Sequence, residues 1–299
     1  MSTLVRVSRI LPIVVLAGLG VTAVGVPTSQ GADPFVAGGR STRAVDLPVS
    51  QADRAIARGR QLAAALGLPG VSQRAQRLDD RFEHRTYDEV TSLDATGHEV
   101  AIARFEADGT VAMALVLGWH PGPASAVDRT AAEARGLALV RAAGIVVGSR
   151  PTVVASAGSG GWSIGWTRVV DGVPVRGDGV RIALWPDGSF HGLSRMQRPL
   201  AAQPSQPIAA DAARASAEAW IAGRFGPAAA DVGVVAVDRA WVAPNDTFIA
   251  NGLDAPAATL RLAWVVRFDT HGPRAERLRS VEVWIDAGDG SLLGGDMVE

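Results

Sequence analysis

An Asp-Gly pair closes a β-patterned stretch three times along this chain, at Asp108-Gly109, Asp187-Gly188 and Asp289-Gly290. Glycine takes positive φ without steric cost, so each pair marks a tight hairpin. A helical pattern precedes each set of strands. The first two helices open alike, on Ser50-Gln51-Ala52-Asp53-Arg54 and Ser125-Ala126-Val127-Asp128-Arg129. Sliding Ser50 onto Ser125 also brings Arg60 onto Arg135 and Leu62 onto Leu137. Internal repetition restricts architecture before any single side chain is weighed. The order helix, strands, helix, strands, helix, strands lacks the regular alternation of a parallel sheet. It predicts an α+β chain of tandem units, each with one helix packed on a curved antiparallel β-sheet.

Composition excludes several classes of function. No cysteine is present, which removes disulfides, thiolate metal sites and cysteine nucleophiles. A net charge of −1 over 299 residues lacks the basic excess that a nucleic-acid binder sets against phosphates. All 29 basic residues are arginine, so a phosphate loop that needs lysine cannot form. At the N-terminus, Arg6 and Arg9 precede an apolar run from Ile10 to Val26, and small polar residues follow to Ala32. Basic, then apolar, then small is the order of a secretory signal. Residues 1–32 are expected to be a signal peptide or N-terminal anchor, which makes the protein secreted or part of the cell envelope.

Residues 33–49 lack periodicity and are expected to be a linker. The first unit spans 50–119. Its helix over Gln51–Leu66 is expected to be capped by Ser50, with Asp53 in the first turn. Strands are expected over Arg81–Leu93, Glu99–Phe105 and Thr110–Leu117. The second unit spans 120–199, with a helix from about Ala126 to Ala143 and a β-rich stretch from Thr152 to Arg195. The third spans 200–299. In its helix, Ile208, Ala212, Ala215, Ala219 and Ala222 suggest a narrow apolar stripe, and Arg214 and Glu218 a possible ion pair. Along Leu262, Trp264, Val266 and Phe268 every second residue is large and apolar, while Arg261 and Arg267 face the other way. That pattern predicts a half-buried strand, one face on a core and one in water.

The third unit resembles a PepSY domain, through Ile208-Ala209-Ala210-Asp211-Ala212-Ala213, Leu262-Ala263-Trp264-Val265-Val266 and Val283-Trp284-Ile285-Asp286-Ala287, with Asp289-Gly290-Ser291-Leu292-Leu293 at the close. The second is similar to the propeptide module that precedes PepSY in fungalysin- and thermolysin-type metallopeptidases. There the carrying residues are Trp166-Thr167-Arg168-Val169-Val170-Asp171-Gly172-Val173-Pro174-Val175. The resemblance implies a PepSY/cystatin-like architecture and a non-catalytic module that binds a peptidase or assists folding. It carries over no catalytic residue.

Candidate chemistry is sparse. His84, His98, His120, His191 and His271 form no local metal motif and are expected to be solvated. Gly158-Ser159-Gly160-Gly161 lacks the first glycine of a nucleophile elbow. Asp79, Asp80, Glu83, Asp88 and Glu89 interleave with Arg77, Arg81 and Arg85, the pattern of a solvated, self-neutralising surface. Arg176-Gly177-Asp178 matches the tripeptide that integrins bind, in a stretch expected to turn. Most of the eight tryptophans are expected to anchor cores. Trp185, before a turn, and Trp284, in phase with Glu282 and Asp286, are the candidates for exposed partner contacts. On that basis Trp284→Ala should weaken partner binding and leave cooperative melting intact.

These features predict an exported protein that is not an enzyme and holds no cofactor or metal. It is expected to bind and modulate an extracellular protein such as a peptidase, with no nucleic-acid partner and no membrane contact beyond an uncleaved N-terminal segment. The alternatives are a structural or sensory module of the cell envelope, and a hydrolase with a dispersed site.

Overall fold

The computed structural model describes residues 42–80, 85–118, 126–148, 151–155, 161–245, 259–271 and 278–298. The expected signal segment, Ser125, His84, His120 and the Gly158-Ser159-Gly160 turn lie outside these residues. Among the described residues the protein is a mostly-sheet α+β structure with three helices and an open, curved, mixed sheet of 13 strands.

Strand β1 (Thr42–Asp46) comes first. Helix α1 (Val49–Leu66) is then followed by β2 (Ser72–Asp80), β3 (Arg85–Leu93), β4 (Glu99–Phe105) and β5 (Val111–Val116). Helix α2 (Arg129–Ala142) is followed by β6 (Thr152–Ala155), β7 (Trp162–Val170), β8 (Val173–Leu184) and β9 (Phe190–Met196). Helix α3 (Ala210–Phe225) runs into a 3-10 turn and then β10 (Val232–Val242), β11 (Arg261–Thr270), β12 (Ser280–Asp286) and β13 (Leu292–Val298). Consecutive strands pair antiparallel within each group of four. Strand β5 joins β9 antiparallel, and Val175 of β8 meets Trp241 of β10 in parallel.

Helices α1 and α2 share one core. Ala55, Leu62 and Leu66 of α1 and Ala132, Leu139 and Val140 of α2 belong to the same buried cluster, with Val90, Phe105, Ile164, Ile182 and Leu193 beneath them. Helix α3 packs separately, through Ala213, Ala217 and Ile221 on Val266, Phe268, Val281, Val283 and Ile285.

Each helix meets its sheet through small residues. A Cβ on Gly59 would stand 2.6 Å from Val90 Cγ1, and one on Gly136 would stand 2.6 Å from Ile164 Cδ1. The buried faces Ala55, Gly59, Leu62 and Ala132, Gly136, Leu139 therefore correspond. This register is two residues off the one that Ser50 and Ser125 suggest. The Ser50 cap is also corrected: α1 begins at Val49, its N-cap is Pro48, and no side chain caps it. In α3 the expected stripe is wrong as well, since Ala212, Ala215, Ala219 and Ala222 are exposed. Alanines fill that helix at every spacing, so the larger Trp220, Ile221 and Phe225 decide which face turns inward. The Arg214–Glu218 pair forms at 2.9 Å.

Two strand expectations change. The end of the expected linker is β1, which pairs with β2 from Thr42↔Asp80 to Asp46↔Gln76. Strand β2 itself is so polar that only Leu78 is buried, and backbone pairing places it. Strand β11 is buried on both faces rather than one. Opposite α3, Ala240, Val242, Ala263, Val265, Trp284 and Leu293 form a second apolar cluster. Asn245, just after β10, exchanges hydrogen bonds with Gly295 of β13.

That cluster corrects the partner-contact reading of Trp284, which is 8 % exposed. The strand phase was right, but the face it points to is covered. Trp185 is only 6 % exposed and stacks on His191, with ring centroids 3.9 Å apart.

Two outcomes follow from this packing. Gly59→Ala should cost about 1–3 kcal/mol by overpacking against Val90. Gly223→Ala, on α3 with open space around it, should stabilise by about 0.5–1 kcal/mol through helix propensity. Urea melts of the two variants check the opposite signs. Trp284→Ala should lose about 3–5 kcal/mol in the same assay, and a loss under about 1 kcal/mol would restore its exposed reading.

Candidate functional site

The loops that close on Asp-Gly are built alike, the third being one residue longer. The amide of Gly109 donates to Glu106 O, that of Gly188 to Trp185 O, and that of Gly290 to Asp286 O. The glycines have φ of 85°, 78° and 76°, where a side chain would be strained. Each aspartate then accepts the amide of the residue two positions on, Thr110, Ser189 or Ser291, at 2.8–2.9 Å. The Thr110 amide holds the Asp108 carboxyl below its usual range, and the Ser291 hydroxyl and amide do the same for Asp289.

At α2 and α3 this loop fixes the helix start. The amide of Val127, one residue before the N-cap Asp128, donates to Pro186 O at 2.8 Å. The amide of Ile208, one residue before the N-cap Ala209, donates to Ala287 O at 2.7 Å. A tryptophan completes each corner. Trp162 Nε1 donates to Val127 O at 3.2 Å, and Trp264 Nε1 to Ile208 O at 3.0 Å. The side chains of Val127 and Ile208 lie over Gly188 and Gly290.

The corner at α1 is built differently. Trp162 pairs with Leu184 and Trp264 with Ile285, each one residue before the loop; the residue paired with the matching Phe105 is Asp88. A carboxylate thus stands where the other two corners hold an indole. Its side chain is only 11 % exposed and is held by Arg58 at 3.1 Å and Arg77 at 2.9 Å. Arg58 also stacks over Phe105, 5.5 Å from its centroid, and covers Gly109 with its guanidinium.

The result is a cleft of 510 Å³ between α1, β2, β3 and the Asp108-Gly109 loop. Gln51, Arg54 and Arg58 line it from the helix, Arg77 and Asp88 from the strands. Gln51 Oε1 accepts from Arg77 at 3.3 Å. Neither Arg58 Nε nor Arg77 Nε has an acceptor among the described residues. The sequence reading missed Arg54, Arg58 and Gln51, because they belong to a helix whose polar face carries no motif.

The acidic cluster of this region is neutralised but not fully solvated. Glu89 is buried, and it accepts from Arg104 Nε and Gln76 Nε2, both at 2.8 Å. The Arg176-Gly177-Asp178 tripeptide lies inside β8, not in an exposed turn. The Asp178 side chain is 0 % exposed and accepts from Arg168, from Arg198 Nε and from the Arg198 amide. Arg176 forms a two-pronged pair with Glu282 of β12. No integrin could engage that aspartate. The tripeptide instead ties β8 to the chain after β9 and to the α3 sheet. Among the histidines, His98 and His271 are exposed, whereas burial lowers the pKa of His191, which stacks on Trp185. The described residues hold no group of three or more His, Asp or Glu placed to bind a metal ion.

No protein-family model matches the chain, and no curated protein sequence does. Among solved structures it is similar to the Bacillus megaterium YpeB C-terminal domain, at 11 % identity and a TM-score of 0.39, over 85 % of this chain and 99 % of that one.

The ion pairs at Asp88 are partly open to solvent, which reduces their worth below that of a fully buried pair. Asp88→Asn should therefore destabilise by about 1–3 kcal/mol. The loss should shrink when Arg77→Gln is added, in a double-mutant cycle followed by thermal melting.

Proposed function

We propose that the chain is an exported, non-catalytic protein of three PepSY-like modules, each one helix on a four-stranded antiparallel meander. Their spans are 50–119, 120–199 and 200–299. The observation that carries this reading is the shared loop, Asp-Gly followed by Thr or Ser, which joins the last two strands after every helix. The string that resembles PepSY, Asp289-Gly290-Ser291-Leu292-Leu293, is the third of these loops and the start of β13. The matched corners at Val127 and Ile208 support the modular reading of the second and third spans.

In this reading the modules bind and modulate an extracellular protein partner such as a peptidase, as inhibitor or chaperone. A non-catalytic role is supported by the carboxylate that lines the cleft, because Asp88 is committed to two side-chain donors. Binding through a sheet edge is supported by β1, which begins the strand order and exposes Val45. An edge of this kind can take an added strand through its free backbone groups. Export rests on Arg6, Arg9 and the apolar run from Ile10 to Val26.

The test is to add the protein, without residues 1–32, to secreted metallopeptidases and to follow both peptidase rate and co-elution on sizing. The expected result is a complex with a changed rate. No complex and an unchanged rate would reject the reading.

A further inference from the structure

We propose that the cleft beside α1 is a binding site for a phosphate group, presented as a phosphate monoester or as free phosphate. The inference rests on the cleft alone and stands apart from any protein partner.

Charge is the first argument. Three guanidinium groups, Arg54, Arg58 and Arg77, face one carboxylate, Asp88. The excess of two positive charges suits a dianion. A monocarboxylate would leave one charge uncompensated, and a second cation would be repelled.

Donor supply is the second argument. Asp88 engages one nitrogen of Arg58 and one of Arg77, while a guanidinium carries five N–H donors. Each guanidinium therefore keeps terminal N–H groups that Asp88 does not use. Arg54 is exposed and has no ion-pair partner among the described residues. Gln51 commits its oxygen to Arg77, which leaves its amide nitrogen as a further donor. A phosphate offers three or more acceptor oxygens in one compact group, and arginine recognises it bidentately.

Comparison within the molecule is the third argument. The other two corners are closed by Trp162 and Trp264, each hydrogen-bonded to the chain before its helix. At α1 the same strand position is the carboxylate Asp88. It holds Arg58 and Arg77 apart from each other's repulsion and fixes them at the cleft wall. Arg58 is further fixed by Phe105 and by the bare backbone of Gly109. The arginines are thus preorganised, which lowers the entropy cost of binding. The 510 Å³ volume exceeds what an inorganic phosphate fills and falls in the range of small-molecule sites. A monoester fits that room better than the free ion.

Isothermal titration at low ionic strength tests the site, with glycerol phosphate, inorganic phosphate and acetate as probes. Saturable one-to-one binding of a phosphate probe is expected, with acetate much weaker. Tighter binding of glycerol phosphate identifies an esterified group, and equal or tighter binding of inorganic phosphate identifies the free ion. Arg54→Gln removes an unpaired cation and should weaken binding about tenfold. Ala57→Glu, on the cleft's helical wall, should abolish it. Circular dichroism melts of both variants should match the parent protein. The proposal is overturned if neither phosphate probe saturates, if acetate binds as tightly as phosphate, or if both variants, folded by their melts, bind phosphate like the parent.

Discussion

A single backbone hydrogen bond sets the position of α2, and another sets that of α3. Each runs from the residue before the helix cap to a carbonyl of the Asp-Gly loop, Val127 to Pro186 and Ile208 to Ala287. The bond matters because it links elements far apart in sequence: the start of a helix and the last hairpin of the meander that follows it. Once this corner is fixed, the helix has one direction across its sheet. The aspartate carboxylate holds the loop's own turn, and the tryptophan indole occupies the carbonyl that would otherwise compete for another donor. Strand order and helix direction are thereby coupled, and the rest of the core fills in beneath.

The helices can approach closely because glycine and alanine face the sheet at the crossing points. With Gly59 on Val90 and Gly136 on Ile164 and Ile182, the backbone itself becomes the packing surface. The larger side chains then interdigitate on either side, which is how a chain without cysteine supports its core. The strands after α3 add a second layer of burial. Trp284, Val265 and Leu293 are covered on the face away from α3, and Asn245, just after β10, bonds to β13. The Arg176–Glu282 pair holds β12 to β8, and the buried Asp178 ties β8 to Arg168 and Arg198. A tripeptide that looks like a surface ligand is in this way an internal clasp.

Much of the strand pattern was legible. Glu99–Phe105 follows from its apolar run and the turns that bound it, and the β-rich stretch from Thr152 to Arg195 holds β6, β7, β8 and nearly all of β9. The Asp-Gly pairs correctly marked hairpins, although the Thr or Ser that completes each turn went unused. Strand β2 was illegible because it is held by neighbours on both sides and buries little of its own. The helix register was misjudged for a related reason. Ser50 and Asp53 are polar and exposed, so their likeness to Ser125 and Asp128 says nothing about packing, while the buried Ala, Gly and Leu positions carry the true correspondence. Trp284 was in the expected phase, but no local pattern reveals that Val242 and Leu293 share its face. The cleft was the least visible feature. Asp88 gains its meaning only when strand pairing shows that Trp162 and Trp264 occupy the same place.

That contrast is the centre of the account: two corners closed by an indole, and one opened by a carboxylate and lined with arginine. At α1 the helix starts earlier, Ser50 lies within its first turn, and the corner residue is no longer pinned to the loop. Residue-resolved amide hydrogen exchange tests this most directly. Val127 and Ile208 lie outside any helix or strand, yet the account predicts that their amides exchange as slowly as those of the helix interiors, while Ser50 exchanges at the rate of a free helix end. Exchange of Val127 and Ile208 as fast as that of Ser50 would contradict it.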